Sequence, residues 1–166
     1  MRAVTAIACL LLAVATQLLA EGRGPSTPQE RADAIKLVRL LESDPLNKAA
    51  KDARSNLTMW LIAVPDIEVP MCPNIAGPIL DESKNYANEI AMQQSYSSAA
   101  FIIENPDKAK DRVQVILAGV EGMLKTYEAI LKDKPKAKRP YLDELVIKRN
   151  KGELAAYVAA NIDKCK

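Results

Sequence analysis

Two pairs of carboxylates are spaced so that they could work together. Asp66 and Glu68 lie two apart in a proline-rich stretch, and Glu121 and Glu128 lie seven apart, on one face of any helix that contains them. A close pair of acids can supply the acid and base of a lyase or a glycosidase-type reaction, or part of a calcium site. No EF-hand loop or third oxygen ligand accompanies Asp66 and Glu68, so a solvated loop is the plainer reading. Glu121 and Glu128 have no evident partner. The chain contains no histidine at all. That removes the Ser–His–Asp and Cys–His pairs, the HExxH zinc helix and the ordinary haem ligand. No nucleotide-binding glycine loop is present. No catalytic residue, metal ligand set or cofactor is therefore assigned, and a binding role is preferred by elimination.

Binding has its own candidates. The run Gln93-Gln94-Ser95-Tyr96-Ser97-Ser98 is the most polar part of an otherwise apolar segment, and Gln94, Tyr96 and Ser98 are taken from it as candidate ligand or partner contacts. The plainer reading is an exposed polar face, with small serines where helices cross. Trp60, the only tryptophan, joins the candidates, although core packing is its default role. Residues 132–139 carry Lys132, Lys134, Lys136, Lys138 and Arg139 against one acid, Asp133. Of these, Lys134, Lys136, Lys138 and Arg139 are candidates for weak contact with an anionic surface, against the plainer reading of a solvated connection. No aromatic residue is interleaved before Tyr141, so a nucleic-acid platform is not indicated. Asn56-Leu57-Thr58 is an N-glycosylation sequon.

The elements that must position these groups read as helices. Thr27-Pro28-Gln29-Glu30 is a capping box with proline at the first helical position, followed by Ile35, Val38 and Leu41 at helical spacing as far as Ser43. Asp44-Pro45 predicts a second helix, with Leu46, Ala50, Ala53, Leu57, Trp60 and Val64 as its apolar seam. Residues 65–78 hold Pro65, Pro70, Pro73 and Pro78, which predicts an extended connection. A third helix is expected from Pro78 or Asp81 to Glu104, with Leu80, Ile90, Phe101 and Ile102 inward. Asn105-Pro106-Asp107 opens a fourth, the most amphipathic in the chain, in which Gly119 and Gly122 mark a close helix approach. Short fifth and sixth helices follow from Pro140 and from Leu154. Glu42-Ser-Asp-Pro and Glu104-Asn-Pro echo each other as two similar helix starts. No strand pattern is visible. The expected fold is a small antiparallel bundle of about five to six helices.

Of 166 residues, about half are apolar and 27% are charged, with a net charge of +2. Such a balance excludes a disordered, a collagen-like or a strongly basic nucleic-acid-binding chain. Residues 1–20 read as a cleaved signal peptide. Arg2 precedes the apolar run Ala6 to Ala15, and Ala15 and Ala20 are both possible cut sites. Residues 21–166 then form one helical domain, exported to a periplasm or outside the cell, with no membrane span. Export leaves Cys72 and Cys165 as a pair, most simply one disulfide rather than two reactive thiols. The expected function is a non-enzymatic binding protein for another protein or a small ligand. A carboxylate-only enzyme and an envelope-associated structural component stand beside it.

Overall fold

A computed structural model describes residues 23–81 and 84–165. The signal-peptide reading of residues 1–20 falls outside them. Seven α-helices occur among the described residues: α1 (Pro28–Ser43), α2 (Ala50–Ala63), the single turn α3 (Pro73–Ala76), α4 (Ala87–Glu104), α5 (Arg112–Asp133), α6 (Pro140–Asn150) and α7 (Leu154–Asn161). Short 3-10 turns lie between several of them, and no strand is found among the described residues. The fold is an all-α bundle.

The capping box forms as the sequence predicts. Thr27 Oγ1 accepts from the Glu30 amide at 3.2 Å, and Glu30 accepts from the Thr27 amide at 2.8 Å. Three helix ends follow one rule. Asp44, Asn105 and Lys134 each precede a proline and each leaves helical geometry with φ between −140° and −132° and ψ of 67° or 68°. The ring of the next proline forbids the α region to these residues, so the helix must stop there.

Three expected boundaries are corrected, each for its own local reason. After Pro45 the chain makes turns, and α2 begins only at Ala50; the Asn47 side chain takes the Ala49 amide at 2.9 Å and holds the turn. α4 begins at Ala87 rather than at Pro78 or Asp81, because Gly77–Asp81 is a 3-10 turn and Asn85 and Tyr86 adopt positive φ (53° and 64°). Leu80, expected inward, is exposed. The proline-rich connection is not wholly extended, since α3 forms with Pro73 at its first position, where a missing N–H costs nothing. Gly77, at φ 66°, lies beneath the Tyr141 ring; a Cβ there would sit 2.5 Å from the ring carbon Cε1.

The core falls into neighbouring clusters. One joins α3, α4, α5, α6 and α7 around Ile75, Ile90, Met123, Tyr127, Leu142 and Val158. Another joins α1, α2 and α4 through Val38, Leu41, Leu57 and Tyr96. Cys72 and Cys165 form a disulfide with Cα atoms 4.5 Å apart, tying the strap before α3 to the end of the chain. Arg112 donates to the Cys165 carbonyl at 2.8 Å, and the Asn74 amide donates to the Lys164 carbonyl.

A latch holds the start of the described chain. Asp66 accepts from the Ser26 amide (2.8 Å), the Ser26 hydroxyl (2.7 Å) and Arg31 (2.7 Å). Burial pushes the Asp66 carboxyl up, but these three donors outweigh it and hold its pKa down at about 2. A carboxyl with a lowered folded-state pKa takes up its proton more readily when unfolded. The latch therefore stabilises fully above about pH 4 and is lost as pH falls through 2. Urea midpoints measured across this window should fall with pH, and Asp66→Asn should flatten that slope. An unchanged slope in the variant would remove the latch from the account.

Candidate functional site

The direction of α4 against α5 follows from their contacts. Gln94 and Ser98 of α4 meet Gly119, Ser97 meets Gly122, and the Ser98 hydroxyl donates to the Val115 carbonyl at 3.0 Å. Only residues 105–111 separate the end of α4 from the start of α5, and the two helices pack along each other, so they run antiparallel. A Cβ at Gly119 would stand 2.7 Å from the Gln94 carbonyl oxygen, and one at Gly122 would stand 2.8 Å from Glu42 Oε1. The two glycines do mark a close approach, as the sequence suggested.

That approach corrects the reading of the polar run. Gln93, Gln94, Tyr96, Ser97 and Ser98 are all buried instead of forming an exposed face. Buried polar groups need partners, and a seam among α1, α4 and α5 supplies them. The Gln93 amide donates to Ser97 Oγ (3.1 Å) and to the Val38 carbonyl (3.4 Å). Ser97 donates to Glu42 Oε1 at 2.8 Å, and Thr126 donates to the Leu41 carbonyl at 3.2 Å.

Glu42 is the hinge of this seam. Only 6% exposed, it accepts from Arg39 at 2.7 Å and lies 3.6 Å from the Lys125 ammonium. Arg39 also grips Glu104 at 2.6 Å, so one guanidinium joins the ends of α1 and α4. The seam opens into a cavity of about 300 Å3, lined on its polar side by Arg39, Glu42, Ser97, Gln114, Glu121 and Lys125 and on its apolar side by Phe101, Leu117 and Ala118. A second hollow of about 350 Å3 continues past Glu42 and Lys125 to Glu128 and Lys132. The arrangement offers two cations, two carboxylates and a short apolar wall. The base beside the Ser97 hydroxyl is the Glu42 carboxylate, a weak one for that task, and the Gln93 amide also donates to Ser97.

The residues singled out from the sequence do not converge here. Gln94 and Ser98 are occupied by the α4–α5 contact. Tyr96 points to the α2 side, where its hydroxyl meets Thr58 Oγ1 at 2.7 Å and donates to the Arg54 carbonyl at 3.2 Å; burial raises its pKa. Trp60 lies between α1 and α2. The acids also separate: Glu128 pairs with both Arg149 nitrogens at 2.7 and 2.8 Å, while Glu121 lines the cavity. Asp66 is held in its latch, and the wide depression of about 630 Å3 beside it is lined also by Glu68, Lys110 and Arg112, the last already bound to the Cys165 carbonyl.

The basic run is shorter than the sequence implied. Lys134, Lys136 and Lys138 are exposed, with Lys138 3.6 Å from Asp143. Arg139 does not belong with them. It is buried, and its guanidinium donates to the Lys84 and Asn85 carbonyls at 2.8 and 3.1 Å. Its amide donates to Tyr127 Oη at 2.8 Å, and Tyr127 donates on to Asp143 at 2.8 Å. Burial carries the Tyr127 pKa up to about 12. Arg139 therefore braces the α5–α6 corner.

Arg39, Glu42, Glu104 and Lys125 were not found from the sequence. A signal was present: Glu42 and Glu104 sit at helix C-termini, where the backbone dipole disfavours an acid and no basic residue occupies the last turn. Both belong to the short echo before a proline, and both end on Arg39. Among the described residues no group of three His, Cys, Asp or Glu is placed to hold a metal ion, and no helix is long and apolar enough to cross a membrane. No protein-family model, curated protein or solved structure matches this chain.

Proposed function

We propose that this chain is an exported helical binding protein, and that it holds a small ligand in the groove about Glu42 without transforming it. The observation that carries the reading is the buried Glu42 with Arg39 and Lys125 beside a wall of Phe101, Leu117 and Ala118. A compact molecule bearing both an anionic and a cationic group, with a short apolar body, complements that set. Its anion meets Lys125 and Arg39, its ammonium meets Glu42 and Glu121, and its carbon skeleton covers the wall. Export is supported by the Arg2 and Ala6–Ala15 pattern and by the disulfide, which persists in an oxidising compartment. A weaker contact with anionic surfaces falls to Lys134, Lys136 and Lys138, and it should fade as salt shortens the screening length to about 8–10 Å.

A thermal-shift screen with amino acids, amino-sugars and small zwitterions tests the groove. A ligand at a hundred times its Kd adds about 2.7 kcal/mol, which for a chain of this size raises Tm by roughly 5–10 °C. Lys125→Ala should abolish that shift, since Lys125 is exposed and its loss leaves the core intact. A screen with no shift, or a shift indifferent to Lys125→Ala, would sink the groove as a binding site.

A further inference from the structure

The hollow past Glu42 continues the groove, since Arg39, Glu42 and Lys125 line both. Both also run along one face of α5. Glu121, Lys125, Glu128 and Lys132 succeed one another there by three or four residues, the spacing that keeps side chains on one side of a helix. The two ends of the groove differ in charge. The near hollow holds the acids Glu42 and Glu121 beside its apolar wall. In the far hollow both Glu128 oxygens are taken by Arg149. Lys132 there is exposed, with no carboxylate in ion-pair reach among the described residues. The groove therefore runs from acids to an unpaired cation. α5 rises about 1.5 Å per residue, which sets Lys125 and Lys132 about 10.5 Å apart along its axis. Three extended peptide residues, at about 3.3–3.6 Å each, span that length. The volumes agree. At about 30 Å3 for each water in the liquid, hollows of about 300 and 350 Å3 hold about ten and about twelve waters. One leucine-sized residue has about as many non-hydrogen atoms as the first, and three glycines about as many as the second.

We infer that the groove seats a short extended peptide, about four residues long, with both its ends free and an apolar first residue. This rests on the groove being a binding site and names the class of its ligand. The N-terminal ammonium meets Glu42 and Glu121, and the first side chain covers Phe101, Leu117 and Ala118. In a single amino acid the carboxylate next to that ammonium faces Lys125. In a peptide the same carbon is an amide carbonyl, which still accepts from Lys125 but carries no charge. The charge moves to the end of the peptide and reaches Lys132, two helical turns further on. Small residues suit the positions between, where Ala129 and Ser43 line the far hollow. Other elongated molecules complement the groove less well. A polyanion is repelled by Glu42 and Glu121, and a neutral saccharide gains nothing from the charge of Lys132. A single amino acid leaves the far hollow unfilled.

Calorimetric titration of the purified protein compares leucine with the tetrapeptide Leu-Gly-Gly-Gly. Expected is a tetrapeptide that binds at least about fivefold tighter, the upper range for one exposed ion pair. Amidating its C-terminus should remove most of that gain, and so should Lys132→Ala. The two changes together should remove no more than either alone, because they cut the same pair. Leucine should keep its affinity in Lys132→Ala, whose helical circular dichroism should match the parent since Lys132 is exposed. Leucine bound and the tetrapeptide no tighter would overturn the peptide and leave the groove a site for single amino acids. A gain that survives both amidation and Lys132→Ala would overturn it as well, because the far end would then not be read by charge. If neither leucine nor the tetrapeptide binds, the groove itself fails as a binding site and the peptide fails with it.

Discussion

Gly119→Ala destabilises this protein by about 2–4 kcal/mol, although on an open helix face the same change would stabilise by about 1 kcal/mol. The new Cβ would meet the Gln94 carbonyl oxygen at 2.7 Å and the Ser98 side chain closer still. Overpacking of this kind costs about 1–3 kcal/mol, occasionally more. It also disturbs the buried Ser98 hydrogen bond to Val115, and a buried polar group left unpaired costs about 1–3 kcal/mol. Those terms exceed the propensity gain. Gly122→Ala should destabilise by a similar amount, but its wall is different. There the Cβ meets the Ser97 side chain and the Glu42 carboxylate. Side chains can be cut back and backbone cannot. Ser97→Gly should therefore recover at least about 1 kcal/mol of the Gly122→Ala loss as coupling in a double-mutant cycle. Ser98→Gly should recover much less of the Gly119→Ala loss. Thermal melts read both, with single-variant drops of roughly 5–15 °C. If either alanine variant melts at or above the parent, the close approach is not what shapes the α4–α5 contact.

These glycines also show where sequence reasoning ran out. Apolar periodicity and X-Pro breaks placed the helices, because both act within a few residues. Gly119 and Gly122 announced a close approach for the same local reason. What they could not announce is the partner. The run opposite them read as an exposed polar face with small serines where helices cross; the serines do sit at the crossing, but the run is buried there, and a glutamine or tyrosine reads the same whether water or a neighbouring helix meets its polar end. Only the fold brings Ser97 to Glu42, 55 positions away, whereas the Arg39–Glu42 pair, three apart on α1, is local. Arg139 failed for the opposite reason. In a run of lysines it looked solvated, yet its forked donors fit the Lys84 and Asn85 carbonyls, which the positive φ at Asn85 and Tyr86 leaves outside a helix. Asp66 read more plainly as a solvated loop residue than as half of a reactive pair, yet its oxygens are filled by a segment 35 to 40 residues earlier.

The second large effect belongs to the bridge. Reducing Cys72–Cys165, or replacing both by alanine, should destabilise by about 3–4 kcal/mol. The bridge spans 93 residues, and the chain-entropy account of a loop that long gives about 4–5 kcal/mol. The loss should fall short of that because the strap has other anchors. Ile75 and Ile79 are buried, and Tyr141 donates to the Ile75 carbonyl at 2.7 Å. Those anchors hold the strap to α6, whereas the last turn keeps the Arg112 bond to the Cys165 carbonyl and the Asn74 bond to the Lys164 carbonyl. Amide exchange should therefore rise most in Leu154–Cys165, less in Cys72–Asp81, and least in α1 and α4. The groove sits on Arg39, Glu42, Ser97 and Lys125, none of which touches the bridge. A ligand found there should keep its affinity in the reduced protein at temperatures well below the lowered Tm. Equal loss of protection across all helices would show instead that the bridge and the groove melt as one unit.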